Sequence, residues 1–299
     1  MINNLFAFFD EKDVEYKRNE PMAPYTSVRI GGSAAVIAFP RTQNQLKQVM
    51  RYLYLHGIRH RVIGKMTNLL PLDEGYDGVL VCTASLTGFS VTNCLVTVEA
   101  GAMTSALIIR MARYNLGGLE LLVGIPGTVG GMVASNAGAY GLDMASVLRD
   151  VTLYFPRDDL TMTLTASSLG FSYRSSMIKS SKATVLSARI DFKEKEADII
   201  YSDITKIKEK RAETQPIKSY SLGSVFKRLP DGTSAAYLID RCGLKGTRIG
   251  GASISEKHAG FIVNHGTATS QDFLDLVALA RQTVREKFAV ELETEIDIL

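Results

Sequence analysis

Four short stretches carry residues that could do chemistry. In Phe171-Ser172-Tyr173-Arg174-Ser175-Ser176 an arginine sits among aromatic and hydroxyl residues, where its planar fork could hold an anion. In Ser221-Leu222-Gly223-Ser224-Val225-Phe226-Lys227 a glycine precedes Ser224 and could present the hydroxyl to a ligand. No GxSxG surrounds that serine, so it is not a nucleophile elbow. In Leu292-Glu293-Thr294-Glu295-Ile296 strand alternation puts Glu293 and Glu295 on one face and Thr294 on the other. A carboxyl among apolar neighbours has its pKa raised and can serve as an acid. The loop Gly64-Lys65-Met66-Thr67-Asn68-Leu69-Leu70, leaving a strand, suits phosphate contact through backbone N–H groups. Each stretch also has a bland reading: an exposed arginine beside a tyrosine, a serine capping a turn, a solvated strand face, an ordinary turn.

The run that could hold a reagent is Gly117–Gly141, the most glycine-dense part of the chain. Glycine gives up extra backbone entropy on folding, so such density needs a reason. Gly124-Ile125-Pro126-Gly127-Thr128-Val129-Gly130-Gly131 offers backbone N–H groups and a hydroxyl, and Asn136-Ala137-Gly138-Ala139-Tyr140-Gly141 repeats the idea. The functional reading is a backbone cradle for a large polyanionic cofactor. The structural one is a tight glycine turn packed under a sheet. His258 and the other three histidines give no zinc-type ligand set, so no metal is expected. Three scattered cysteines make no disulfide framework and suggest a reducing compartment, hence a cytoplasmic protein.

These stretches must be positioned by a chain of 299 residues, long enough for two or three domains. Hydrophobic content of 46% and charged content of 22% are ordinary globular values. A net charge of +3 is too small to argue for nucleic acid. The N-terminal run Leu5–Phe9 lacks a basic lead, and Ile2, Leu5, Phe6 and Phe9 fall at helical spacing. No apolar run approaches the roughly 18 residues of a membrane span. No obligate protein partner is implied.

Periodicity predicts a helix from Thr42 to His56, opened by a Thr42/Gln45 capping box and closed by Gly57. Short strands follow at Arg59–Ile63 and Val79–Cys82, then a strand at Leu95–Ala100 and a helix at Thr104–Tyr114. The strand–helix–strand opening has no GxGxxG, which argues against a dinucleotide-binding fold of the Rossmann kind. Strands are predicted at Val151–Phe155, Met162–Leu164 and Ala183–Phe192, and a helix through about Glu213. Beyond Pro216 a separate pattern reads helix (Ala235–Arg241), strand (Phe261–Asn264), helix (Ser270–Phe288) and a final strand (Val290–Leu299).

Taken in order, GIPGTVGG, NAGAYG, YRSS, GSVFK, GLKG with IGGASISEKHAGFIVN, and LETE resemble the UDP-N-acetylenolpyruvoylglucosamine reductases of peptidoglycan precursor synthesis, from about Thr26 to Ile298. The resemblance implies an α+β protein. A two-lobed FAD-binding domain of the vanillyl-alcohol oxidase and p-cresol methylhydroxylase type would span residues 1–195, with lobes of about 1–83 and 84–195. An α+β substrate domain would span 196–299, its last strand returning to the first lobe. No extra tyrosine-bearing loop is present, as in the shorter variety of the family.

The same resemblance implies FAD and NADPH as cofactors and a UDP-sugar enolpyruvyl ether as substrate, in cell-wall biogenesis. NADPH would reduce the flavin, leave, and be replaced by the substrate in the same cleft. It implies catalytic roles for Arg174 as cation, Ser224 as proton donor and Glu295 as a protonated acid. Flavin contacts would come from Gly64, Thr67, Asn68, Leu69, Gly124, Ile125, Pro126, Gly127, Thr128, Gly130, Gly131, Asn136, Gly138, Ala139 and Arg211. Substrate contacts would come from Tyr173, Lys227, Arg228, Lys245 and His258. Two positions depart from the family pattern. Met66 stands where a glycine is expected, which implies a weaker flavin loop with the Lys65 charge as compensation. Arg228 stands where an asparagine faces the substrate diphosphate, either replacing it or marking an altered ligand. The alternatives are a flavin oxidase of the same fold acting on another substrate, and a paralogue that binds FAD or UDP-sugar without catalysis.

Overall fold

The computed structural model describes residues 2–299, with side chains from residue 4 onward. The Ile2 side chain therefore lies outside the described residues. The chain divides into two compact units. The first is Met1–Arg18, Val36–Lys65 and Gly78–Glu209; the second is Asn19–Ala35, Met66–Asp77 and Lys210–Leu299.

One sheet, most of whose residues belong to the first unit, runs in the order Glu15–Pro21, Ser33–Phe39, Tyr76–Cys82, His60–Ile63, the last two strands being parallel. The helix Gln43–Leu55 packs here through Leu46, Val49, Met50 and Leu53, all buried, and Phe9 and Leu5 of the helix Ile2–Glu11 join the same core. Thr42 Oγ1 accepts from Gln45 N at 3.1 Å, as the capping pattern predicts. The Gln45 side chain reaches one residue further back than expected, accepting from Arg41 N at 2.8 Å. Gly57 ends this segment with φ +59.

A five-stranded antiparallel sheet follows in the order Leu160–Thr165, Leu148–Phe155, Thr184–Asp191, Leu95–Glu99, Phe89–Thr92. Its alternating residues Val96, Val98, Val151, Leu153, Ala188 and Ile190 face a core completed by Leu107, Ile108 and Met111 of the helix Thr104–Met111. Tyr154 and Leu186, on the opposite face, contribute to the core under the helix Gln43–Leu55. Alternation takes Tyr154 to that face, and the register shift opposite Thr152 and Leu153 takes Leu186 there.

In the second unit, an antiparallel sheet ordered Tyr220–Ser224, Phe261–Asn264, Ala252–Ile254, Arg248–Ile249 is covered by the helix Ser270–Phe288. Phe273, Leu276, Val277, Ala280 and Val284 make the buried stripe of that helix. A reciprocal Thr269/Asp272 capping box starts it. The sequence reads Val290–Leu299 as one strand, but only Asp297–Ile298 is a strand, paired in parallel with Leu69–Leu70. Upstream, Thr294 makes a single bridge to Phe226. The compact units also do not follow one cut near residue 195. Residues 19–35 and 66–77 group with the C-terminal part because their polar groups are tied there. Ser27 Oγ donates to Ser221 O at 2.6 Å, Asn264 Nδ2 to Val28 O at 2.8 Å, and Ser270 N and Oγ both to Asp73 Oδ2 at 2.8 Å.

Candidate functional site

The glycine run is partly a packing device. Within residues 124–131, five N–H groups are spent inside the protein. Gly124 N donates to Ser105 Oγ, Ile125 N to Leu122 O, Val129 N to Ala102 O, Gly130 N to Ala100 O and Gly131 N to Thr128 Oγ1. A Cβ on Gly130 would lie 2.9 Å from the Ala100 Cβ and 3.1 Å from its carbonyl oxygen. A Cβ on Gly64 would lie 2.5 Å from Thr128 Oγ1. The end of the Gly64 loop and the GIPGTVGG turn therefore touch backbone to side chain. Gly131 differs. It is exposed, and a Cβ there would meet only Thr128 Oγ1, at an ordinary 3.5 Å. The exposed face at Gly131 has room for a ligand to lie against bare backbone, which fits a flat cofactor.

Arg174 sits at the tip of a turn closed by two reciprocal hydrogen bonds between Ser172 and Ser175, both 3.1 Å. Its own backbone is left-handed, φ +57. The guanidinium donates from Nη2 to Gly138 O at 2.9 Å and lies 5.0 Å from the centre of the Tyr173 ring, which is itself exposed. The NAGAYG segment is thus brought against YRSS. Asn136, read from sequence as a flavin contact, is buried, and its side chain bonds within this cluster. Sequence reasoning missed Asp143, which accepts from Asn136 Nδ2 at 3.1 Å and caps its own turn through Ser146 N at 3.1 Å. The signal was available: an aspartate accepting from a nearby main-chain N–H is a turn former.

In the second unit, Ser224 ends the edge strand Tyr220–Ser224 and is exposed. Pairing with Phe261–Asn264 slips between Ser221 and Ser224, and Gly223 takes φ +78, so a bulge re-aims the serine. Glu295 N donates to Val225 O at 2.8 Å and Lys227 N to Glu293 O at 2.9 Å. Residues 71 positions apart are thereby set side by side (295 − 224). Glu293 and Glu295 part company in environment. Glu293 is exposed and ion-paired with Lys227, while Glu295 is half-buried.

Asn68 Nδ2 donates to Glu295 O at 3.0 Å, and Asp297 N donates to Asn68 O at 3.0 Å. Met66 takes the left-handed geometry expected of a glycine, φ +46, with its side chain buried. A non-glycine residue is therefore accepted there, at a cost of about 1–2 kcal/mol. Thr67 is half-buried and Leu69 is buried in the short strand Leu69–Leu70. Arg211, in the last turn of the helix Ala197–Thr214, is buried. Lys245 pairs with Asp240 at 2.7 Å, and exposed Arg228 donates to Gly232 O at 3.2 Å. His258 is half-buried, and that burial lowers its pKa below the usual histidine value. Its Nδ1 accepts from Gly260 N at 3.1 Å, which leaves the proton on Nε2 as a neutral donor. Among the described residues no group of three or more His, Cys, Asp or Glu could hold a metal ion.

The model of an FAD-binding domain matches residues 34–159, and that of the C-terminal domain of UDP-N-acetylenolpyruvoylglucosamine reductase matches 215–299. A protein of that name from Limosilactobacillus fermentum is 40% identical, with 100% of this chain and 98% of the relative covered. The chain belongs to the UDP-N-acetylenolpyruvoylglucosamine reductase family. The reductase from Thermus caldophilus superposes with a TM-score of 0.80 at 34% identity, covering 95% of this chain and 98% of that one. Alkyldihydroxyacetonephosphate synthase, at a TM-score of 0.50 and 13% identity over 64% of this chain and 40% of that one, shares the fold alone. The protein is an FAD-dependent oxidoreductase of mixed α and β structure. Within the family, the exposed Gly131 face and the Gly64–Thr128 contact fall inside or beside the matched FAD-binding domain. Among the described residues no helix is long and apolar enough to cross a membrane.

Proposed function

We propose that the protein reduces the enolpyruvyl ether of UDP-N-acetylglucosamine to UDP-N-acetylmuramate in the cytoplasm, using NADPH. The observation that carries this reading is the pairing of Ser224 with the Glu295 segment through Val225. A hydroxyl and a carboxyl far apart in sequence are placed on adjacent backbone. Bound FAD would supply hydride taken from NADPH to the methylene carbon of the enolpyruvyl group, and negative charge would develop on the neighbouring carbon and its carboxylate. Arg174 and Glu295 stabilise that charge more in the transition state than in the ground state. Ser224 hands a proton to the carbon; a serine hydroxyl is a weak acid, so close geometry must do most of the work. Lys227, Arg228 and Lys245 supply positive charge for the diphosphate, and neutral His258 supplies a hydrogen-bond donor. Tyr173 lines the substrate side of Arg174. Gly64, Thr67, Asn68, Leu69, the 124–131 turn, Gly138, Ala139 and Arg211 form the flavin seat.

The test separates the two half-reactions without oxygen. NADPH should bleach the flavin, and the enolpyruvyl substrate should restore its colour. Ser224→Ala should bleach at the normal rate and recolour about 10²-fold or more slowly, the usual range for a lost proton donor. Equal slowing of both steps would reject the role of Ser224. Failure of the substrate to recolour the wild-type protein would reject the function.

A further inference from the structure

We infer that Asn136 is the positioning residue for Arg174. This rests on the reading of Arg174 as the cation that meets the substrate carboxylate. Asn136 is 3% exposed, and both of its amide hydrogens are used. Nδ2 donates to Ser172 O at 3.0 Å and to Asp143 Oδ2 at 3.1 Å, and Oδ1 accepts from Ala145 N at 3.0 Å. Two donor hydrogens are all that an amide side chain has. The side chain therefore has no hydrogen left to donate to a ligand; it grips Ser172, the first residue of the turn that presents Tyr173 and Arg174.

The other end of Arg174 is set by the same segment. The guanidinium donates to Gly138 O at 2.9 Å and, more loosely, to Asn136 O at 3.5 Å. One short loop thus holds the base of the turn by a side chain and its tip by carbonyls. That loop is itself locked. A Cβ on Gly138 would lie 2.5 Å from Leu142 O and 2.7 Å from the Asp143 Cβ, so the 138–143 hairpin closes only around a glycine. After the turn, buried Ser176 donates from Oγ to Ala134 O at 2.6 Å, tying the exit of the turn to the same region. Asn136 and Arg174 both have left-handed backbone, φ +43 and +57. Such conformations persist where surrounding bonds over-determine them, and asparagine tolerates them better than most residues. A long flexible arginine gains a single direction from these bonds, and a misplacement near 1 Å can cost about 10²-fold in rate.

Asn136→Asp keeps the shape and can still accept from Ala145 N. It has no donor for Ser172 O and faces the Asp143 carboxylate. Two carboxyls sharing a buried site raise the pKa of one of them. Only the protonated form can donate to Ser172 O again. N136D should therefore keep its flavin and its bleaching rate with NADPH, and recolour with substrate about 10²-fold more slowly at neutral pH. The recolouring rate should recover, relative to wild type, as the pH falls. Calorimetric binding of the substrate to the oxidised protein, a readout without turnover, should weaken about tenfold, as expected for a misplaced charge-assisted contact. Asn136→Ser, uncharged, should be slowed in the same selective way with no recovery at low pH. In the double variant N136D/R174K the effects should fall short of additive, since both act through one group.

Loss of flavin, equal slowing of both half-reactions, or an additive double variant would assign Asn136 to the flavin seat or to general stability and overturn the inference. A slow R174K beside N136D and N136S at wild-type rate would overturn it alone. R174K at wild-type rate would overturn the reading of Arg174, and this inference with it.

Discussion

In the Arg174 turn a buried asparagine side chain does the holding; in the Glu295 segment the backbone does. Around Arg174, Asn136 Nδ2 bonds to Ser172 O, and the guanidinium leans on Gly138 O. Around Glu295, N–H to carbonyl bonds run from Glu295 to Val225, from Lys227 to Glu293 and from Asp297 to Asn68, with a short strand beyond. Asn68 Nδ2 adds one bond to Glu295 O. Backbone bonds survive most substitutions, whereas a side-chain clamp is lost with one residue. The first region should therefore be brittle and the second tolerant, although both carry a group that the proposed reaction needs.

The largest effects should appear in the glycines of the helix Val129–Ala134, to which Ser176 ties the first region. Gly130→Ala forces the added methyl against Ala100, whose Cβ cannot rotate away, and should cost about 1–3 kcal/mol of stability in a denaturant melt. Gly131→Ala meets no clash in a helical position and should instead gain up to about 1 kcal/mol. The same variant should bind FAD about tenfold more weakly, the loss that ~1.4 kcal/mol of crowding would give. Unchanged FAD affinity in G131A would mean that the cofactor does not use this face. A smaller effect is expected at Asn68. Asn68→Ala should lose about 1 kcal/mol of stability, one hydrogen bond, and recolour with substrate within about threefold of wild type. A selective loss as large as that expected of N136D would break the contrast between side-chain and backbone anchoring.

The smallest effect concerns His258. Its folded pKa lies below the ordinary 6.5 because burial disfavours the charged ring. Below pH 6.5 the unfolded chain takes up a proton that the folded one refuses. Stability is therefore lost as the pH falls from that value toward the folded pKa, and the loss is complete below it. Compared with His258→Asn, the wild-type protein should lose more of its melting temperature between pH 7 and pH 5. Parallel curves for the two proteins would mean that His258 is not held neutral by its surroundings.

Much of the frame was legible in the sequence. The helix Gln43–Leu55 announces itself by its spacing and by Thr42, and Ser270–Phe288 by its apolar stripe. The last ten residues were misread, because a run of alternating residues looks like a strand whether or not a partner lies along its whole length. Only Asp297–Ile298 finds one. The role of Asn136 was also hidden. An asparagine close to glycines suggests a ligand contact, and nothing local tells that its amide hydrogens will go to Ser172 O and Asp143 Oδ2.

The sequence by itself determined the composition of the site: a glycine run, one arginine among hydroxyls, a serine after a glycine, and paired glutamates, in a fixed order. Those are properties of residue type and spacing, which survive without coordinates. Only the tertiary structure decided which glycines are crowded and which lies open, that Met66 accepts a left-handed backbone, and that Ser224 and Glu295 meet through Val225. It also divided the two glutamates, leaving Glu293 on Lys227 in solvent and Glu295 half-buried. The reason is physical. Burial and hydrogen-bond partnership are set by groups tens to hundreds of residues away, and no local pattern records which of them will arrive.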